Sequence, residues 1–168
     1  MPESVISISS VQGFDFGPDG GSKRIGGTLR RLGDALGLKG LGCTHISVQP
    51  GMRAFPFHNH LANDELFVIL SGTGTYRYGS HEYPIAGGDI CAAGKGGPDN
   101  AHQIINTGEQ PLEYLAISTM NDPEVVEYPD SGKFAAIAVA PGAGFMEAHL
   151  RFIGRAGDSV GYFDGEET

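Results

Sequence analysis

His58 and His60 stand two residues apart, Glu65 follows on the same stretch, and His102 lies further along the chain. On extended backbone the i and i+2 side chains leave the same face, with Cα atoms about 6.5–7 Å apart. That spacing lets two neutral imidazole nitrogens reach one ion at roughly 2.0–2.2 Å each. Glu65 adds a hard oxygen ligand. His102 opens a later segment with Ile104 and Asn106 on its side and adds a third imidazole. Three nitrogens and one carboxylate make a borderline N/O set suited to one divalent ion such as Zn, Ni, Mn, Fe or Co. The pair alone carries little weight, because six histidines in 168 residues produce roughly 0.2 H-x-H pairs per chain by chance. Two hydrogen-bonded histidines on a half-buried strand would look the same.

Short strands must position these groups. Residues 43–49 alternate, with Cys43, His45, Ser47 and Gln49 on one face and Thr44, Ile46 and Val48 on the other. Similar runs follow at 55–60, 65–71, 73–78, 81–85, 89–93, 102–106 and 112–119, nearly all separated by turn residues. Gly79-Ser80 between Tyr78 and His81 reads as a two-residue hairpin of type II′, which requires glycine at its first central position. Eight short strands with no obvious helix among them predict an all-β sandwich or barrel. Glu65 shares parity with Phe67 and Ile69 and is expected inside the barrel; Asp64 has the opposite parity and is expected to face away. Leu66-Phe67-Val68-Ile69-Leu70 is apolar on both faces, as a strand needs when one face lines a barrel and the other packs on a second sheet or subunit.

The flanks are less regular. Residues 5–9 alternate like a short strand, 17–27 are turn-rich, and 28–36 predict a helical turn or two broken by glycines. Residues 121–132 read as a connection bearing proline and acids, and 134–140 as another buried strand. The acidic tail Asp164-Gly165-Glu166-Glu167 closes a segment expected to pack on the barrel or on a partner subunit. The division expected is an N-terminal arm (1–39), a barrel (40–120) and a C-terminal extension (121–168).

The spacing of the ligand candidates resembles the cupin superfamily, whose first motif reads G-x5-H-x-H-x3/4-E-x6-G. Here Gly51 is followed after six residues by His58-Asn59-His60, after four more by Glu65, and after six more by Gly72. The second motif, G-x5-P-x-G-x2-H-x3-N, is met by Gly88, Gly94-Lys95-Gly96, His102 and Asn106. Gly94 replaces the proline, and five residues rather than two precede His102. The resemblance implies a double-stranded β-helix, or jelly roll, with a metal held inside by His58, His60, Glu65 and His102. The chain also resembles small single-domain cupins given the label of candidate sugar-phosphate isomerases. That implies a metalloenzyme for a small polar carbonyl or sugar-type substrate, whose deprotonation next to the carbonyl the ion would assist. A metal-dependent dioxygenase and a non-catalytic small-molecule binding or sensing module are the alternatives. No acid–base residue stands out beyond Glu65, and catalytic residues stay unassigned.

Composition limits the rest. A net charge of −9 turns against nucleic acid and anionic membranes as partners. No apolar stretch is long enough to span a bilayer, and the start shows neither a basic nor an apolar leader region. Cys43 and Cys91 read as free thiols, so a cytoplasmic protein is expected. A homodimer is expected from the doubly apolar strand and the C-terminal extension. Gly94-Lys95-Gly96-Gly97 departs from a phosphate loop and reads as a barrel-mouth loop, with Lys95 solvated. His45, His81 and His149 match no ligand spacing, and His45 reads as a packed strand histidine. Phe55, Phe57, Tyr76 and Tyr78 are candidate pocket walls, with sheet packing as the plainer reading for at least two of them.

Overall fold

The computed structural model describes residues 4–17, 23–139 and 148–166. Two short strands, β1 (Phe14–Phe16) and β2 (Gly27–Arg31), pair antiparallel, and a single helical turn, α1 (Leu32–Ala35), follows. The region expected to be helical from residue 28 is therefore strand in its first half. Leu29 faces Ile46 across β2 and the next strand, a pairing that outweighs weak local helix propensity. Residues 5–9 are not a strand. Ile8–Ser10 form a 3-10 turn, whose hydrogen bonds are local, Ser10 donating from both its amide and its hydroxyl to the Ser7 carbonyl. The expected turn-rich stretch 17–27 lies partly outside the described residues.

The barrel strands come next: β3 (Leu41–Val48), β4 (Asn59–His60), β5 (Glu65–Ser71), β6 (Thr73–Tyr78), β7 (His81–Ala86), β8 (Ile90–Ala93), β9 (His102–Ile105) and β10 (Leu112–Thr119). They are followed by β11 (Glu124–Tyr128), β12 (Lys133–Ala138) and β13 (Leu150–Gly154). Three sheets result, ordered β1-β2-β3-β10-β5-β8, β7-β6-β9 and β13-β12-β11-β4. The large and small sheets enclose one apolar core, with Ile46, Val48, Phe67, Ile69, Ile104 and Leu112 buried within it. This is an all-β double-stranded β-helix. Period two explains the inside: Phe67 and Ile69 are buried while Leu66 and Leu70 stand about 40% exposed.

Tight turns set the registers. Gly79 has φ +54 and Ser80 is not among the residues with positive φ, as the first-position glycine of a type II′ hairpin requires, and Tyr78 pairs with His81. Gly72, the last glycine of the first motif, takes φ +84, and a Cβ there would stand 2.5 Å from the Pro111 carbonyl oxygen. Asn106 is fully buried; its amide donates to the Val48 and Gln110 carbonyls and its Oδ1 accepts from Gly108 N. The motif asparagine is thus a clamp on the loops at that end of the barrel.

Two expectations change. The segment 55–60 yields only the two-residue β4, and His58 joins β9 through a single bridge to His102. Pro56, which has no N–H to give a ladder, helps explain why the strand begins so late. The connection expected at 121–132 contains β11, which pairs on one edge with β4 and on the other with β12. Its residues Val125 and Val126 suit a strand, but the flanking proline and acids hid them.

Candidate metal centre

Backbone pairing brings the four candidate ligands to one place. His58 and His102 exchange two main-chain hydrogen bonds, at 2.8 and 3.2 Å. His60 sits on β4, held against Val126 of β11. Glu65 opens β5, between Ser118 of β10 and Ala93 of β8, and points inward with Phe67 and Ile69. The His58 ring lies 4.6 Å from that of His102 and 5.0 Å from that of His60, centroid to centroid.

Every imidazole turns Nε2 towards one atom. Oε2 of Glu65 lies 2.7 Å from Nε2 of His102, 3.4 Å from that of His60 and 3.8 Å from that of His58. One donor atom from each of His58, His60 and Glu65 lies within 4.8 Å of the other two. His102 is outside that mutual set but makes the shortest approach to Glu65. Two ligands each about 2.1 Å from a common ion stand about 3.0–3.4 Å apart, a separation that the three Glu65 distances bracket.

The outward nitrogens decide what the inward ones can do. Nδ1 of His58 is 2.8 Å from the Pro56 carbonyl, Nδ1 of His102 is 3.3 Å from the Asn100 carbonyl, and Nδ1 of His60 is 3.2 Å from Oε2 of Glu124. Both nitrogens of each ring therefore face oxygen acceptors, yet a neutral imidazole carries one N–H. Placing that proton on Nδ1 satisfies the outer acceptor and leaves three Nε2 lone pairs and a carboxylate oxygen pointed at one another. That is a donor set suited to a cation, and the outer hydrogen bonds are of the kind that fix the tautomer of a metal-ligating histidine.

Protonation follows the same pattern. Burial, reinforced by His102, lowers the His58 pKa to about 4, so this ring is neutral at pH 7. Burial also opposes charge on His60, but Glu65 and Glu124 on its two sides outweigh it and its pKa is raised. Burial works against the Glu65 carboxylate too, and the His102 and His60 imidazoles beside it overcome this, holding it far below the usual carboxylate range.

Glu124 is the functional residue that the spacing of the motifs could not supply. It accepts from Ala62 N at 3.1 Å, from Val125 N at 2.8 Å and from the Asn63 amide, besides facing His60. A carboxylate opening the β-branched run Val125-Val126 was the available signal. The other candidates stand elsewhere. Asp64 faces away and accepts from Lys95 N at 2.8 Å. His45 is buried between Arg30 and Glu113, and His81 and His149 are exposed. Of the four aromatic candidates, Tyr76 and Phe55 approach the ligand rings, Tyr76 at 6.4 Å from His102. Phe57 is buried against Arg77 and Tyr78 stacks on Tyr76, while Phe55 meets His58 edge-on at 6.3 Å.

Residues 44–118 match the cupin domain family. An oxalate-binding protein from Thermotoga maritima is 37% identical over 60 residues, which cover 36% of this chain and 47% of that protein. The match thus spans about half the length of that curated relative. A candidate sugar phosphate isomerase from Acidithiobacillus ferrooxidans is 28% identical, with 91% of this chain and 90% of that one covered and a TM-score of 0.74. A sugar phosphate isomerase of the cupin superfamily from Silicibacter pomeroyi shares the fold at a TM-score of 0.74 and 22% identity, over 95% and 98% of the two chains.

Proposed function

Residues 44–118 constitute a cupin domain, and from that premise we propose a metalloprotein that acts on a small polar carbonyl or sugar-type molecule. It would hold one divalent ion on His58, His60, Glu65 and His102 and work as a sugar-phosphate isomerase does. The observation that carries this reading is the convergence of three Nε2 atoms on one carboxylate oxygen, each ring held from outside by its Nδ1 contact. The likeness to the Acidithiobacillus protein supports the substrate class.

A bound ion of this kind polarises a carbonyl oxygen and eases loss of the neighbouring proton. The chain's own residues prepare for that step. Pro56, Asn100 and Glu124 hold the rings in register. Glu65 keeps its negative charge, and Phe67, whose ring is 5.4 Å from His102, walls one side against water. Glu124 is engaged by several donors, so it is a positioning residue for His60 and not a free base.

The test is a screen of phosphorylated aldoses and ketoses for isomerisation, before and after stripping with a chelator and after re-addition of Zn, Ni, Mn or Fe. Turnover lost on stripping and restored by one ion supports the proposal; turnover indifferent to stripping refutes it. The 60-residue likeness to an oxalate-binding protein favours a second reading, in which the same residues present an ion to a small dicarboxylate without turnover. Saturable oxalate binding by the metal-loaded protein, with no isomerisation in the screen, would select that reading. No helix among the described residues is long and apolar enough to cross a membrane. A cytoplasmic setting, in keeping with the free thiols of Cys43 and Cys91, belongs to the proposal.

A further inference from the structure

A cavity of about 620 Å³ lies on the back of the small sheet. Arg77 on β6 and Gln103 on β9 are register partners whose parity is opposite to that of Tyr76 and His102, so they line this cavity while the others face the metal centre. Lys133 of β12 and Tyr128 of β11 form the facing wall. The cavity thus adjoins the candidate metal centre but opens away from it. Tyr128 stands between them, its ring stacked 6.3 Å from that of His58.

Its charge contrasts with the rest of the chain. In a protein of net charge −9, this cavity gathers Arg53, Arg77 and Lys133 against Glu82 and Asp130. The cations differ in how far they are already matched. Arg77 lies 3.6 Å over the Phe57 ring and donates to both oxygens of Asp130, at 2.7 and 2.9 Å, and Asp130 also feels the charge of Arg53. Lys133 rests 5.5 Å over the Tyr128 ring. Arg53 is pinned by its backbone, Arg53 N donating to Arg24 O and Gly26 N donating to Arg53 O, with a further bridge to Ile105. Its side-chain Nε is buried and meets no acceptor. A buried guanidinium donor without an acceptor is costly, and the half-buried Arg53 lines the cavity and brings its charge there.

We propose that this cavity is a binding site for a small oxyanion, a phosphate or carboxylate group, held by Arg53 and Lys133 and distinct from the metal centre. Arg77 and Asp130 form its fixed floor. Phe57 and Tyr128 supply apolar ring surface for whatever carries the anion. Planar guanidinium geometry suits two-point recognition of such a group, and Lys133 adds a second charge.

The experiment uses full-length protein stripped of metal and dialysed, so the result does not depend on the function proposed above. Titration calorimetry with inorganic phosphate and, separately, with acetate is run on wild type, on Arg53→Gln/Lys133→Gln and on His60→Gln. Circular dichroism and a thermal melt confirm that each variant folds, and Lys133→Gln alone, on a partly exposed strand position, keeps the test open should the double variant not. Saturable binding of either anion by wild type, about tenfold weaker in the cavity variants and unchanged in His60→Gln, is expected. Preference for phosphate would mark a phosphate ester and preference for acetate a carboxylic acid; both outcomes support an oxyanion site. No saturable binding of either anion, binding undiminished in the cavity variants, or binding lost with His60 would overturn it.

Discussion

At the level of single residues, the centre works by dividing two kinds of contact between the two nitrogens of each ring. If the inward lone pairs hold an ion, Glu65→Gln, His60→Gln and His102→Gln each reduce bound divalent metal from near one per chain towards none, as elemental analysis reads it. Metal retained in all three variants would place the ion elsewhere. The electrostatics predict an order of titration in metal-free protein, read by NMR of the imidazole carbons. His60 lies between Glu65 and Glu124, so its raised pKa makes it the first of the pair to take a proton as pH falls. His58 takes one only near pH 4. The signs follow by linkage. His60 contributes stability below the ordinary histidine pKa and loses that contribution as pH rises through its folded value. His58, depressed by burial, costs stability as pH falls from the ordinary value of about 6.5 towards 4. Coincident titrations of the two rings would contradict this account.

Among the elements, β11 is the one whose role was hardest to foresee. It pairs with β4 beside His60 and brings Glu124 to the Nδ1 of that ring. Glu124→Gln therefore weakens metal binding by about 10–100-fold, as loss of such an outer partner does, and lowers the His60 pKa. An affinity equal to wild type in competition with a chromogenic chelator would show that β11 only packs. Turns make a separate demand. Gly72→Ala places a Cβ against the Pro111 carbonyl at φ +84, and denaturant melts should show a loss above about 1 kcal/mol. In the core, Ile69→Ala removes a side chain that is 1% exposed and should cost about 2–5 kcal/mol.

Taken as one body, the molecule joins its three sheets at the site, with Glu65 on β5, His102 on β9 and His60 on β4, so metal and fold should stabilise one another. At a free-ion concentration of about a hundred times Kd the gain is about 2.7 kcal/mol, which raises Tm by about 5–10 °C in a chain this size; a melt unmoved by chelation and reloading would argue against an ion at this junction. Self-association is proposed on surface chemistry. β13 is an edge strand whose Leu150, Phe152 and Ile153 are exposed, and Tyr162 and Phe163 beyond it are more exposed still. A homodimer would cover them. Sedimentation at micromolar concentrations should give twice the mass of one chain, whereas a single-chain mass throughout would refute this.

Much of this was legible from local pattern. Period-two alternation places Phe67 and Ile69 inside and, by the same parity, turns Glu65 inward, while Gly79-Ser80 announces its own hairpin, because strand faces and tight turns depend on neighbours in sequence. The H-x-H pair, Glu65 and His102 could be picked out by residue type and spacing alone. What the sequence could not decide is whatever needs a partner from far along the chain: that residues 28–31 are strand, that β11 runs beside β4 and offers Glu124 to His60, and that Arg53, Arg77 and Lys133 meet behind the small sheet. Those pairings join segments up to eighty residues apart, and only closure of the barrel gives them a common wall.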